Sequence, residues 1–131
     1  MRIHHIGIAV ADLDESIDLY RSVFGAELAH RAASEQEGLE TALMRFGDVQ
    51  LELMRPLRED SAVGKFVARR GPGMHHVAYA VADIGDALAA ARDAGLQLID
   101  TEPRIGLHGV PIAFVHPKSV GGVLTEFVEV R

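Results

Sequence analysis

Four side chains in this sequence have the types and the placement to hold one divalent cation: His5, Glu52, His76 and Glu126. The chain has no cysteine, so imidazole nitrogen and carboxylate oxygen are the ligands left to it. Two of each suit a divalent ion and leave coordination positions for water or substrate. Singly, each residue has an ordinary explanation. A strand histidine is commonly packed or at the surface, and a glutamate flanked by Leu or Phe is commonly the solvent side of a strand. These residues, however, come in equivalent places twice.

The segment His4-His5-Ile6-Gly7-Ile8-Ala9-Val10-Ala11-Asp12-Leu13 returns 71 residues later as His75-His76-Val77-Ala78-Tyr79-Ala80-Val81-Ala82-Asp83-Ile84. A second echo closes each half: Gly47-Asp48-Val49-Gln50-Leu51-Glu52-Leu53 matches Gly121-Gly122-Val123-Leu124-Thr125-Glu126-Phe127, offset by 74. Slippage of this size is what loop insertions produce, and an internal repeat implies two copies of one supersecondary unit. In the opening strand the large residues Ile6, Ile8 and Val10 alternate with His5, Gly7 and Ala9, which must point the other way. Val77, Tyr79 and Val81 alternate likewise with His76, Ala78 and Ala80. In the closing strand Leu51 and Leu53 pack, so Glu52 faces away from them, and Glu126 takes the matching place. A pseudo-twofold relation between copies would bring the four to one point.

The elements that must do this positioning read alike in both halves. An opening strand (Ile3 to Val10; His75 to Val81) precedes a helix. Asp12 and Glu15 have capping-box spacing, Ile17, Tyr20 and Phe24 share one face, and Gly25 supplies the stop. The second helix starts near Asp83, turns Ile84, Ala87, Leu88 and Ala91 inward, and stops at Gly95. Three strands follow in each half, near 26–31, 39–46 and 49–55, then near 96–100, 111–116 and 122–130. Asp60-Ser61 caps a connecting helix with Val63, Phe66 and Val67 inward, ended by Gly71-Pro72-Gly73. Tyr20, Phe24 and Phe66 read as core, His4 and His75 as structural, and His30, His108 and His116 as surface or loop residues. The order is βαβββ twice, an α+β fold of two tandem modules forming a curved mixed sheet around a metal-binding cleft.

Composition narrows the function. The 131 residues are 48% hydrophobic and 24% charged, which excludes a disordered tail. A formal charge of −6 argues against a nucleic-acid backbone as partner. No apolar run reaches the roughly 20 residues that span a bilayer, and Met1-Arg2-Ile3-His4-His5 is not a secretory signal. The expected location is the cytoplasm, with no membrane partner.

The sequence resembles the vicinal oxygen chelate superfamily (glyoxalase, bleomycin resistance proteins and dioxygenases) and, within it, the methylmalonyl-CoA epimerases. The opening His5-Ile6-Gly7-Ile8-Ala9-Val10 indicates the superfamily. Resemblance to epimerases rests on Pro56-Leu57-Arg58-Glu59-Asp60-Ser61-Ala62-Val63-Gly64-Lys65-Phe66, on Glu102-Pro103-Arg104-Ile105-Gly106-Leu107-His108-Gly109, and on His116-Pro117-Lys118 through Gly121-Gly122-Val123-Leu124-Thr125-Glu126. The repeat itself sets module one at about 1–58, a linker helix at about 59–73 and module two at about 74–131, and the resemblance implies that together they form a single domain over 1–131. The family's metal ligands fall on His5, Glu52, His76 and Glu126, although some members carry Gln where this chain has Glu52. The implied cofactor is one divalent ion, cobalt first, with manganese or nickel as alternatives. The implied partners are methylmalonyl-CoA or a similar acyl-CoA and a second copy of the chain in a homodimer.

The implied reaction interconverts the (R) and (S) forms of methylmalonyl-CoA through a metal-stabilised enolate, which needs proton removal and return at the carbon between thioester and carboxylate. Glu126 is the first acid–base candidate, since a ligand carboxylate can keep one oxygen for substrate; the other reading makes it a ligand alone. Some epimerases place a catalytic glutamate in the strand before Glu52. Aligned on Gly38, that position is Thr41 here, one residue from Glu40. A one-residue shift turns a strand side chain to the opposite face, so Glu40 serves as the second group only if a bulge restores its direction. For the CoA phosphates Arg55, Arg58, Lys65, Arg69, Arg70, Arg104 and Lys118 are the candidate cations. Glyoxalase I (lactoylglutathione lyase), with the same His-Glu-His-Glu set, and a metal-free binding protein of the same fold are the alternatives.

Overall fold

The computed structural model describes all residues, Met1–Arg131. Its elements run β1 (Arg2–Ala9), α1 (Leu13–Ser22), β2 (Glu27–Ser34), β3 (Leu39–Phe46), β4 (Val49–Pro56), α2 (Ala62–Arg70), β5 (Gly73–Val81), α3 (Ile84–Asp93), β6 (Arg104–Ile105), β7 (Pro111–Val115) and β8 (Thr125–Glu129), with a 3-10 turn at Pro117–Ser119. This is the expected βαβββ order, twice, around a connecting helix. The chain divides into two compact units, one spanning His5–His75 and the other His76–Arg131 with Met1–His4.

In the first unit the strand order is β2-β3-β4-β1. β4 pairs antiparallel with β3 and parallel with β1, so the opening and closing strands of the unit lie side by side. Asp12 starts α1 by accepting the Glu15 N–H at 2.9 Å, satisfying one of the orphan donors of the first turn. Gly25, at φ 72°, releases the chain from the helix. One side of the strands packs Val10, Ala42, Met44 and Leu53 against Leu13 and Ile17 of α1, with Ile8, Tyr20 and Leu51 around them. Each large side chain buried there contributes about 1.5–3 kcal/mol. On the other side Ala9 and Met54 pack against Val63 of α2, with Phe66 and Val67 alongside. Ser61 caps α2 by accepting the Gly64 N–H at 3.0 Å.

The second unit repeats the plan with strand order β5-β8-β7-β6. β8 is parallel to β5 and antiparallel to β7. Asp83 caps α3 through the Asp86 N–H at 3.0 Å. Val81, Ile84, Leu88 and Ala113 form the core under α3. Ala78, Ile112 and Val128, with Phe114 and Val130, line the opposite face.

Two expectations need correcting. The strand expected near 96–100 is reduced to a single bridge, Leu98 with Val115. Ile99 and Asp100 both donate to the Phe114 carbonyl, at 3.0 and 3.1 Å, and two donors on one acceptor end a ladder. Asp100 also accepts the Phe114 N–H through its side chain at 2.8 Å, competing with strand pairing. A two-residue β6 supplies the third partner instead. Phe24, expected in the core, is exposed: it lies beyond the last residue of α1 and leans on Tyr20, ring centroids 5.4 Å apart.

Candidate metal centre

His5 and Glu52 are brought together by the parallel register of β1 and β4. Gly7 is the Cα partner of Glu52, and His5 precedes Gly7 by two, on the same face. Leu51 and Leu53 are anchored under α1, which forces Glu52 to the side that carries Ala9 and Met54. Both polar side chains are buried, at 4% and 8% exposure, and His5 Nε2 lies 3.6 Å from Glu52 Oε1.

The second unit builds the same pair by the same stagger. Ala78 is the Cα partner of Glu126, and His76 precedes Ala78 by two. His76 and Glu126 are 3% and 5% exposed, with Nε2 and Oε1 separated by 3.2 Å. In both units the residue beside the glutamate is Gly or Ala, which leaves the histidine and carboxylate room to meet. Phe114, the cross-strand partner of Glu126, sets its ring edge-on to His76 with centroids 5.7 Å apart. Phe114 was not singled out in the sequence; its alternation with Ala113 and Val115 in β7 is the signal that places it on this face.

The donor chemistry fits a divalent cation. Glu126 Oε1 is buried and lies 3.2 Å from the imidazole nitrogen of His76. A carboxylate oxygen and an imidazole nitrogen this close and away from water are held together by a proton or a cation between them. Ligands about 2.1 Å from one ion, at angles between a right angle and the tetrahedral value, sit about 3.0–3.4 Å apart. The 3.2 Å pair falls within that span and the 3.6 Å pair just outside it, before any tightening around an ion.

The remaining candidates are dispersed. The β3–β4 register runs unbroken from Leu39 opposite Pro56 to Phe46 opposite Val49, so no bulge turns Glu40. Glu40 shares the α1 face with Ala42 and Met44, in ion pairs with Arg31 at 3.3 Å and Arg55 at 3.5 Å. Asp14 of α1 holds the same Arg31 at 2.7 Å and raises its pKa, chiefly by that hydrogen bond. Thr41, fully buried, and Leu43, opposite Glu52, take the other face. His75 packs against Phe66 with ring centroids 4.9 Å apart, and His116 Nδ1 caps the 3-10 turn through the Lys118 N–H. His30 is exposed, while His4 and His108 are half-buried.

The cations also sort. Arg55 is taken by Glu40. Arg58 binds Asp60 at 2.7 Å and the carbonyls of Glu35 and Gln36. Arg70 lies over Phe66, and Lys65, Arg69 and Lys118 are exposed. Arg104 lies over the Phe114 ring at 5.7 Å, against the aromatic that touches His76.

Comparison with known proteins follows the same lines. Residues 4–114 match the family model of the Glyoxalase/Bleomycin resistance protein/Dioxygenase superfamily. The ethylmalonyl-CoA/methylmalonyl-CoA epimerase of Cereibacter sphaeroides is 34% identical, over 98% of this chain and 98% of that protein. The mitochondrial methylmalonyl-CoA epimerase of Dictyostelium discoideum is 35% identical, over 98% and 78%. A methylmalonyl-CoA epimerase solved with methylmalonyl-CoA and ammonium superposes with a TM-score of 0.93 at 43% identity, over 98% of this chain and 93% of that one. Superposition at that level over nearly the whole length shows the α+β fold of this superfamily.

Proposed function

Since the chain belongs to the methylmalonyl-CoA epimerases of the glyoxalase/bleomycin resistance protein/dioxygenase superfamily, we propose that it interconverts the (R) and (S) forms of methylmalonyl-CoA. The observation that carries this reading is the doubled His–Glu pair, built twice by one stagger on a chain so similar to an epimerase solved with its acyl-CoA. His5, Glu52, His76 and Glu126 would together hold one divalent ion, cobalt first and manganese or nickel otherwise. In support, each unit by itself sets a histidine nitrogen beside a glutamate oxygen, at 3.6 Å for His5 and Glu52 and 3.2 Å for His76 and Glu126. Such an ion supplies a fixed positive charge where negative charge develops on the thioester oxygen.

The chain's own residues supply the rest. Glu126 accepts the proton from the carbon between thioester and carboxylate, using the carboxylate oxygen not committed to the cation. Burial of both pairs keeps bulk water away from the carbanionic carbon. Return of a proton on the opposite face needs a second acid–base group or exchange with water. Exchange with water is the favoured route, because Glu40 sits in an unbroken strand register with its carboxylate tied to Arg31 and Arg55 on the α1 face. No helix is long and apolar enough to cross a membrane; we place the protein in the cytoplasm as a homodimer. The test is proton–deuterium exchange at C2 of methylmalonyl-CoA in heavy water, run beside a glyoxalase assay. Exchange with inversion supports the epimerase. Its absence alongside lactoylglutathione formation would overturn it.

A further inference from the structure

We infer that Phe114 is a positioning residue for His76: its ring fixes the plane of the imidazole, so that Nε2 lies beside Glu126 before any ion arrives. The assignment rests on the metal-centre reading and deepens it. All its residues lie in the second unit, in the strand order β5-β8-β7. Phe114 of β7 is the cross-strand partner of Glu126 in β8, and Ala78 of β5 is the partner of Glu126 on the other side. Cross-strand partners project to one face, and His76, two residues before Ala78, shares it. Ala78 is small, so the Phe114 ring reaches over β8 to His76, with centroids 5.7 Å apart and planes at 81°. The last side-chain torsion of a histidine is broad, so the backbone alone does not choose the plane its ring takes. An edge-on aromatic neighbour does, because tilting the imidazole would break the contact.

Phe114 is itself anchored on three sides. Its N–H donates to the Asp100 carboxylate at 2.8 Å, and its carbonyl accepts from Ile99 and Asp100 at 3.0 and 3.1 Å. Its ring packs with Ala78, Ile112 and Val128. The bonds that turn 96–100 away from strand pairing therefore converge on the residue that touches His76. The first unit offers a comparison built on the same plan. There the residue opposite the glutamate is Leu43, which has no aromatic ring. His5 and Glu52 stand 3.6 Å apart, against 3.2 Å for His76 and Glu126. Groups already held in place lose less freedom when an ion binds, and the neighbours that hold them set the affinity of a metal site. The His76–Glu126 pair is the preformed one, and the aromatic contact distinguishes it from its twin.

The experiment uses the full chain, first free of metal and then titrated with cobalt(II). Phe114→Leu gives the second unit the residue type that the first already has, and Ile84→Val is a core change under α3 on the opposite face. NMR relaxation of the His76 ring carbons, identified by their loss in His76→Ala, should show a rigid ring in the wild type and a mobile one in Phe114→Leu. Cobalt should bind Phe114→Leu about three- to tenfold more weakly, the effect of one lost aromatic pair, with a changed visible spectrum. Ile84→Val should lower the unfolding temperature and leave ring mobility, affinity and spectrum as in the wild type. Asp100→Ala, which frees the Phe114 N–H, should loosen the ring, while Asp100→Asn keeps an acceptor and restores it. A rigid His76 ring in both Phe114→Leu and Asp100→Ala would overturn the assignment, whatever the cobalt affinity. A ring equally loosened by Ile84→Val would overturn it as well, since general destabilisation would then be the cause. A wild type that binds no cobalt would overturn the metal reading instead, and the metal-free ring result would still decide this one.

Discussion

Replacing Gly64 with Ala sets helix propensity against local packing, and the structure decides the sign. Gly64 is the third residue of α2, where Ala would be preferred over Gly by about 1 kcal/mol in a free helix. A Cβ there would collide with the Arg58 carbonyl oxygen, stand 2.8 Å from the Glu59 carbonyl oxygen and 2.9 Å from Ser61 Oγ. Two of these are backbone atoms and cannot swing aside. The Arg58 carbonyl is further held by the Ser61 hydroxyl at 2.9 Å, while the Arg58 guanidinium grips the Glu35 and Gln36 carbonyls. Relief must come from the cap: pushing Ser61 Oγ away forfeits its bond to the Gly64 N–H, about 1 kcal/mol, and overpacking costs about 1–3 kcal/mol more. Against the propensity gain, the net is about 1–3 kcal/mol of destabilisation. Equilibrium urea unfolding should show the midpoint lowered by roughly 1 M at an unchanged slope. A Gly64→Ala protein as stable as the wild type, or more so, would refute the reasoning.

Replacing His76 with Ala should abolish stoichiometric metal, measured by elemental analysis after dialysis, while circular dichroism keeps the wild-type shape; full metal content would remove His76 from the site. Glu126→Gln should cut turnover far more than Glu40→Gln, whose loss should stay within about 10²-fold. Single-turnover exchange in heavy water separates the two, and loss of exchange on one face alone in Glu40→Gln would make Glu40 a full second base. Glu129 has its pKa lowered, first by the Ile84 N–H that donates to it at 3.1 Å and then by Arg131. A carboxylate depressed in the folded state stabilises above its unfolded pKa and loses that contribution as pH falls through the folded value. Acid unfolding of Glu129→Gln should therefore begin from a lower stability at neutral pH and fall less steeply below the usual carboxylate range; an unchanged acid slope would exclude Glu129 as its source.

What could be read from the sequence was whatever a short stretch encodes by itself. Asp12, Ser61 and Asp83 cap helices because their side-chain oxygens reach an N–H three residues on, a relation that needs no tertiary context. The direction of His5 followed from its large apolar neighbours, since a strand face can be read wherever one side is bulky and the other small. Glu40 and Thr41 show the same rule at work: an unbroken register was enough to set them on opposite faces. Legibility failed where a contact from far along the chain decided the outcome. Nothing in 96–100 announces that Asp100 will take the Phe114 N–H and divert a strand into a single bridge. Nor could spacing tell that Arg104, among seven cations, would be the one laid over an aromatic ring beside a candidate ligand. Phe24 was misplaced because the apolar period carries on past Ser22 while the helix does not.

The parallel neighbourhood of the first and last strands in each unit has a consequence for how such a protein can change. Each candidate ligand pair is assembled from the two ends of its unit, so the stretch in between is not part of the coordinate frame that fixes it. The two halves have already explored this freedom: β2 spans eight residues where its counterpart β6 spans two, yet the His–Glu separations differ only between 3.6 and 3.2 Å. Away from Phe114 and Asp100, inner strands and turns could therefore be lengthened, trimmed or replaced, altering what is presented to a substrate, with the cation-holding chemistry inherited unaltered. For an engineer, the stretches between the first and last strands of each unit are the ones to vary, rather than the histidine strands.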